Sequence, residues 1–274
     1  MTSLFNTTTR QKLSSVMSIA KIKILLDLSN SFLRNPFLIT TRSLARYGTY
    51  SARQIFRFLG CEHNWYAIRI LLFLDFFYHP TKDYLAAIDE TAVEKSGKST
   101  HGKDYFYSSI AQKSIAGVCF FALSLIEPAK RTSYMLGVEQ VIHTENDKKR
   151  SAEQKKKRFE GKKRNEAGKR LKASRKKGEQ NKKEPATTEN ASFRAFIKLI
   201  SGVFGVLTKY IPNIKITHLL ADSAYAAAHY MAAAQASGMF LISKLHKNAV
   251  LYGMPETKKG KGRPCFYGKK FDLN

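Results

Sequence analysis

Cysteine is scarce: the 274 residues hold three, Cys61, Cys119 and Cys265, with no Cys-x-x-Cys spacing among them. Neither a zinc ribbon nor a disulfide framework is indicated, and thiols placed this way suit a reducing cytosol. The seven histidines are scattered as well, and Cys61 with His63 finds no second pair to complete a zinc site. Long apolar runs are missing too. The stretch WYAIRILLFLDFFY at 65–78 is too short to cross a bilayer and carries Arg69 and Asp75. The opening MTSLFNTTTRQKLSS lacks the apolar centre of a signal peptide, so no membrane or export segment is expected. A Walker loop is absent as well. IDETAVEKSGKST at 88–100 ends in Gly-Lys-Ser, but the glycine such a loop requires five residues earlier is Ala92, so the backbone N–H groups cannot wrap a phosphate there.

Acidic side chains are the other shortage, with 21 Asp and Glu against 47 Lys and Arg, a formal net charge of +26. The imbalance is uneven. Residues 148–184 hold 18 basic and 5 acidic side chains, whereas residues 81–147 hold 7 and 9. A chain that is basic everywhere except around IDET has what a metal-dependent nuclease needs: cationic surfaces for phosphate and a local acidic pocket for cations. A nucleic-acid-binding protein without catalysis has the same bulk charge.

What is present divides into four stretches. Residues 1–80 read as a helical, DNA-binding domain, with apolar positions at three- and four-residue spacing in SVMSIAKIKILLDL, SARQIFRFLG and NWYAIRILLFLDFFY. SLARYGTYSARQIFRFLG sets two short helical patterns around a Gly-Thr-Tyr break, with Arg53 and Arg57 on the second, and fits either a helix-turn-helix or an ordinary helical domain with a phosphate-binding face. From residue 81 the pattern becomes strand-like. YLAAIDETAV, YFYSSIAQK and GVCFFALSLIE predict three consecutive antiparallel strands, with KSGKSTHGKD as a turn. Residues 148–184 cannot bury a core and are expected to be disordered or a solvated helix that orders on a polyanion.

Residues 185–274 resume the α/β pattern. SFRAFIKLISGVFGVLTKYI places Phe193, Phe196, Ile197, Ile200, Phe204, Leu207 and Ile211 on one helical face. IKITHLLADSAYA reads as a buried parallel strand ending at Asp222, followed by the helix AAAHYMAAAQASG and the strand MFLISKL. The expected fold is therefore α/β: a mixed sheet of three antiparallel strands followed by parallel crossovers, with an N-terminal helical domain and a basic insertion.

Open α/β sheets bind ligands outside the carboxyl ends of their strands, where Asp222 falls. Asp89 interrupts an otherwise apolar strand. If the two strands are neighbours, the carboxylates converge, and a divalent cation held by their oxygens relieves their repulsion. The alternative is that Asp222 caps the next helix and Asp89 pairs with a lysine. Lys95, Lys98 and Lys103 stand beside this acidic stretch and are candidate phosphate contacts, or a solvated turn. Tyr225 and His229 follow Asp222 and either approach the substrate or pack in the core.

AIDETAVEKSGKSTHGKDYFYSSIAQK, HLLADSAYA, FLISKLHKNAVLYG and GRPCFYGKKFD together resemble the DDE transposases of the IS4-like insertion-sequence superfamily, over roughly residues 30–274. The resemblance implies an RNase H-like core, Asp89 and Asp222 as the first two carboxylates of the triad, and cleavage and strand transfer of insertion-sequence ends with Mg²⁺ or Mn²⁺. It implies DNA as partner, a homodimer as a candidate assembly, and a cytoplasmic place at the bacterial or archaeal nucleoid. The family's third ligand is a glutamate on a helix past the last strand. Here Glu256 lies in a Lys/Gly-rich loop and Asp272 in the tail, so the expectation is a C-terminally shortened transposase. The alternative is a non-catalytic DNA-binding remnant or repressor of transposition.

Overall fold

The structure, a computed structural model, describes residues 7–36, 38–97, 99–166, 190–212, 214–244, 252–253 and 268–271. Five helices come first: α1 (Thr7–Ser14), α2 (Ile19–Arg34), α3 (Thr41–Tyr47), α4 (Ala52–Leu59) and α5 (Trp65–Phe76). Local chemistry sets their ends. Ser51 accepts from the Gln54 amide while the Gln54 side chain accepts from the Ser51 amide, a capping box that starts α4. The Asp27 carboxylate on α2 accepts from the Thr49 and Tyr50 amides and so ties down the turn between α3 and α4. With Ile55 and Phe58 buried, α4 turns Arg53 and Arg57 to solvent.

Helix α5 is apolar on all sides because it is buried on two. Ile68 and Leu71 join Leu13, Met17, Ile22 and Leu26 in one cluster, while Ile70 and Phe73 enter the main core under the sheet. Of its two charged side chains, Arg69 keeps a buried Nη1 and Asp75 is tied to α1. Asp75 accepts from Thr9 and Lys12 of α1, and those bonds hold its carboxyl below the usual range.

The sheet has six strands: β1 (Leu85–Glu94), β2 (Asp104–Ser108), β3 (Lys113–Glu127), β4 (Thr132–Val141), β5 (His218–Ala221) and β6 (Phe240–Ser243). β3 is the long antiparallel partner of β1, and its other edge takes β2 along residues 113–117 and β4 along 119–127. β5 pairs in parallel with β1, and β6 in parallel with β5. The fold is thus a mixed α/β arrangement with the expected parallel crossovers. The antiparallel part, however, has four strands rather than three. YFYSSIAQK is not one strand: β2 stops at Ser108, and β3 starts at Lys113 after a turn in which Gln112 has φ 48°. The additional strand, TSYMLGVEQV, follows a turn with Arg131 at φ 52°.

Between the sheet halves run α6 (Glu145–Glu166) and α7 (Ala191–Tyr210). The described part of the basic stretch is helical, and residues 167–189 lie outside the described residues. Helix α7 is long and apolar enough to cross a membrane by length and composition, yet Ala195, Phe196, Leu199, Ile200, Val203 and Leu207 are buried in the sheet core. This corrects the expected face: Ile197 is exposed, and Leu199 and Val203 take the inward places. Tyr66 of α5 seats its ring between β4 and α7, against Gly137 and Gly202, and donates to Glu139 at 2.7 Å. A 3₁₀ turn (Ser223–Tyr225) and α8 (Ala228–Ala236) connect β5 to β6.

Candidate active site

Asp89 lies in mid-β1, and Asp222 is the first residue after β5. The last residue pairs of that parallel ladder are Ala87 with Leu220 and Ile88 with Ala221, so the next register position sets Asp89 beside Asp222. Neighbouring strands are about 4.8 Å apart. The two carboxylates 133 positions apart in sequence therefore sit side by side at the carboxyl end of β5. Both residues are exposed, Asp89 on the open face of β1, so neither carboxylate is taken out of water.

Each carboxylate is half used. Asp89 Oδ1 accepts from the Glu90 amide at 2.8 Å, and Asp222 Oδ1 accepts from the Ser223 amide at 2.6 Å, capping the 3₁₀ turn. Neither Oδ2 has a partner among the described residues. The Ser243 hydroxyl of β6 donates to the Asp222 carbonyl and fastens the turn from the other side.

Glu90 is the residue that sequence reasoning passed over. It alternates with Asp89, so it shares the inward side with Ala86 and Ile88, and there it accepts from the Tyr225 hydroxyl and the Cys119 thiol, both at 2.9 Å. The alternation of LAAIDET was the available signal: a carboxylate at an inward position needs donors. Burial first, then the Glu90 charge and hydrogen bond, push the Tyr225 phenol far up, and the Asp89 charge adds to this. Burial likewise raises the Cys119 thiol, and burial and then Glu90 push Tyr230 up to about 12. Both donors to Glu90 therefore stay protonated, and Glu90 has neutral partners only. None of Asp89, Glu90 and Asp222 forms an ion pair with Lys or Arg among the described residues, which leaves a local negative field.

Of the remaining candidates, Tyr225 is buried, its ring against Phe121, Phe196 and Tyr230, so it serves the core and Glu90. His229 packs on Phe193 and Tyr230. Lys103 donates to the Ser96 and Gly97 carbonyls and closes the turn after β1, and Lys95 is exposed on it. Lys98, Glu256, Asp272 and most of GRPCFYGKKFD lie outside the described residues. Among the described residues no cluster of three or more His, Cys, Asp or Glu is placed to hold a metal ion.

The site thus presents two carboxylates in register, without cationic partners among the described residues. Residues 39–274 match the family described as DDE superfamily endonuclease. The chain belongs to that family. No curated protein matches it. A DDE superfamily endonuclease acts on DNA with divalent metal ions, and the residues present fit such an ion: Asp89 and Asp222 offer hard oxygen donors with a free oxygen each.

Proposed function

We propose that this DDE superfamily endonuclease is a transposase of the IS4-like type with an RNase H-like core, cleaving insertion-sequence ends and transferring strands with Mg²⁺ or Mn²⁺. The observation that carries the reading is the parallel register of β1 with β5, which brings Asp89 and Asp222 together. In this reading both carboxylates hold the metal, which supplies Lewis-acid activation of the attacking oxygen and stabilisation of the leaving one. The chain's own residues do the positioning. The Glu90 and Ser223 amides each occupy one carboxylate oxygen and fix which oxygen is left over, while Tyr225 locks the turn bearing Asp222 to β1 through Glu90.

Residues 1–80 are the DNA-binding part in this proposal, with Arg53 and Arg57 on the open side of α4 and Lys95 beside the carboxylates as phosphate contacts; residues 81–147 and 185–274 make up the core, and 148–184 the basic insertion. Its partners are insertion-sequence and target DNA, a homodimer is the working form, and it acts in the cytoplasm at the nucleoid. The test is nicking of supercoiled DNA carrying the source element's ends. Wild type should nick with Mg²⁺ or Mn²⁺ and not with EDTA, while Asp89→Asn and Asp222→Asn should each lose at least ~100-fold in rate, since one misplaced or missing contact costs that much. Nicking that survives the double substitution would sink the assignment.

A second reading, a DNA-binding protein that occupies element ends without cutting, rests on the formal net charge of +26, which gives affinity for a polyanion without any catalysis. It requires DNA retention that is unchanged by Asp89→Asn and no nicking by wild type.

A further inference from the structure

Proximity in sequence singles out Lys95, Lys98 and Lys103 as cations of the site, but the strand ladder brings in another lysine. Lys95 lies six residues past Asp89, on the order of 20 Å along a strand. Lys103 is engaged by the Ser96 and Gly97 carbonyls. The parallel ladder of β5 with β6 pairs His218 with Phe240, Leu219 with Leu241, Leu220 with Ile242 and Ala221 with Ser243. The next register position therefore sets Lys244 beside Asp222, as the β1–β5 ladder sets Asp89 on its other side. A side-chain bond holds the end of β6 at that level: Ser243 Oγ donates to the Asp222 carbonyl at 2.7 Å. Asp89, Asp222 and Lys244 thus stand in one row across three strand ends, at steps of about 4.8 Å.

Lys244 is exposed and has no hydrogen bond or ion pair among the described residues, Asp222 included. Side chains alternate along a strand, so it shares its face with Phe240 and Ile242, which are also exposed. β6 ends the sheet path, so among the described residues the approach to this end of the row is open. A lysine present only to balance charge would pair with Asp222 and cancel the field that draws a cation. An unpaired ammonium on a flexible four-carbon stem is instead a point charge available to a ligand. The carboxylate pair alone repels a phosphodiester; with a divalent cation it accepts one. Negative charge then gathers on the non-bridging oxygens as the bond is cut, and a donor placed beside them stabilises it. In register, Lys244 is the nearest such donor.

We propose that Lys244 contacts the non-bridging oxygens of the phosphate that is cut, as the cationic member of the site. The inference rests on the cleavage reading for its ligand, and the test separates the two. Fluorescence anisotropy of the full chain is followed against salt, with a labelled duplex carrying the element's end and with Ca²⁺, which takes the same oxygen donors. Lys244→Gln should lower the salt slope by about 0.9, the share of one phosphate contact, and Lys244→Arg should restore it. Lys215→Gln, the same charge change before the start of β5, should leave the slope unchanged. A neutral methylphosphonate at the junction of element and flanking DNA should take about 0.9 from wild type and nothing further from Lys244→Gln. In Mg²⁺, Lys244→Gln should slow nicking ~100-fold, the loss on removing one donor to a developing oxyanion. Thermal melts of the variants should match wild type, because Lys244 has no partner to lose. A slope that Lys244→Gln leaves unchanged, or losses that add with the methylphosphonate, overturns the proposal. So does a Lys244→Gln protein that self-associates at unchanged slope, since lysine on an edge strand also deters pairing between sheets. If wild type does not nick in Mg²⁺ while the methylphosphonate effect still vanishes in Lys244→Gln, the contact stands and the cleavage reading falls.

Discussion

Among the described residues, the hydroxyl of Tyr225 is the side-chain group that joins the two carboxylate-bearing segments. It follows Asp222 by three residues and donates to Glu90, the neighbour of Asp89. Tyr225→Phe keeps the ring contacts and removes one bond to a charged acceptor, which costs ~1.5–3 kcal/mol. The midpoint in urea should fall accordingly, with m unchanged. Metal-dependent nicking should fall further than stability explains, because the Asp222 turn loses its tie to β1. Unaltered nicking in a destabilised Tyr225→Phe protein would assign the bond to stability alone. A second residue-scale prediction concerns acid. Burial pushes the Asp147 carboxyl up, but hydrogen bonds from Arg194 and Thr144 outweigh it and hold it at about 2, below its ordinary 3.8. A lowered folded pKa gives stability that is present above the unfolded value and is lost as pH falls through the folded one. Asp147 therefore contributes ~2 kcal/mol that disappears between about pH 4 and pH 2. In Asp147→Asn the acid limb of the stability curve should flatten over that window, as followed by thermal melts.

At the scale of elements, legibility followed the number of periods each segment displays. Helices α2, α4, α5 and α7 repeat their apolar spacing over two or more turns, and β1 and β5 carry short apolar runs, so these elements were readable, whereas the pairing of β1 with β5 entered only as a condition. β4 was not: TSYMLGVEQV mixes Gly137, Glu139 and Gln140 into a strand whose ladder shifts register between Leu123 and Ser124, which breaks the alternation. Glycine there answers to packing. A Cβ at Gly137 would meet Val203 at 2.5 Å, and one at Gly202 would meet the Tyr66 ring at 2.6 Å. Such tertiary contacts have no signature in a single sequence. Asp222 stood out at a strand end and Asp89 as a carboxylate interrupting β1, whereas Glu90, whose inward place only the alternation of LAAIDET signals, was passed over because its donors, Cys119 and Tyr225, lie on other elements. Gly202→Ala should push Tyr66 away from β4 and α7 at a cost of ~1–3 kcal/mol. Trp65 adjoins Tyr66, so its fluorescence should change in the same variant. An unshifted melting temperature would mean that the ring yields without strain.

For the whole molecule the dominant quantity is charge. A net +26 repels itself, and the surplus is concentrated: α6 and the residues after it are strongly basic, while residues 81–147 are slightly acidic. Helix α6 buries none of its described side chains apart from the start that meets Arg194, so its cations hang on the fold with little apolar contact to offset their repulsion. Exposed charges are screened over ~10 Å at 0.1 M salt. Raising salt from low to physiological concentration should therefore stabilise the free protein, the reverse of what it does to DNA binding, where released counterions make salt a competitor. The two effects separate cleanly in a melt. Without DNA the melting temperature should rise with salt, by ~2–4 °C per kcal/mol of relieved repulsion. With a saturating duplex it should be highest at low salt and fall as salt is added, because a ligand at free concentration L that binds only the folded chain stabilises it by RT ln(1 + L/Kd), and Kd rises with salt. A free-protein melting temperature that falls with salt would show that attractive ion pairs, such as Lys82 with the buried Glu127 at 2.7 Å, outweigh the excess of positive charge.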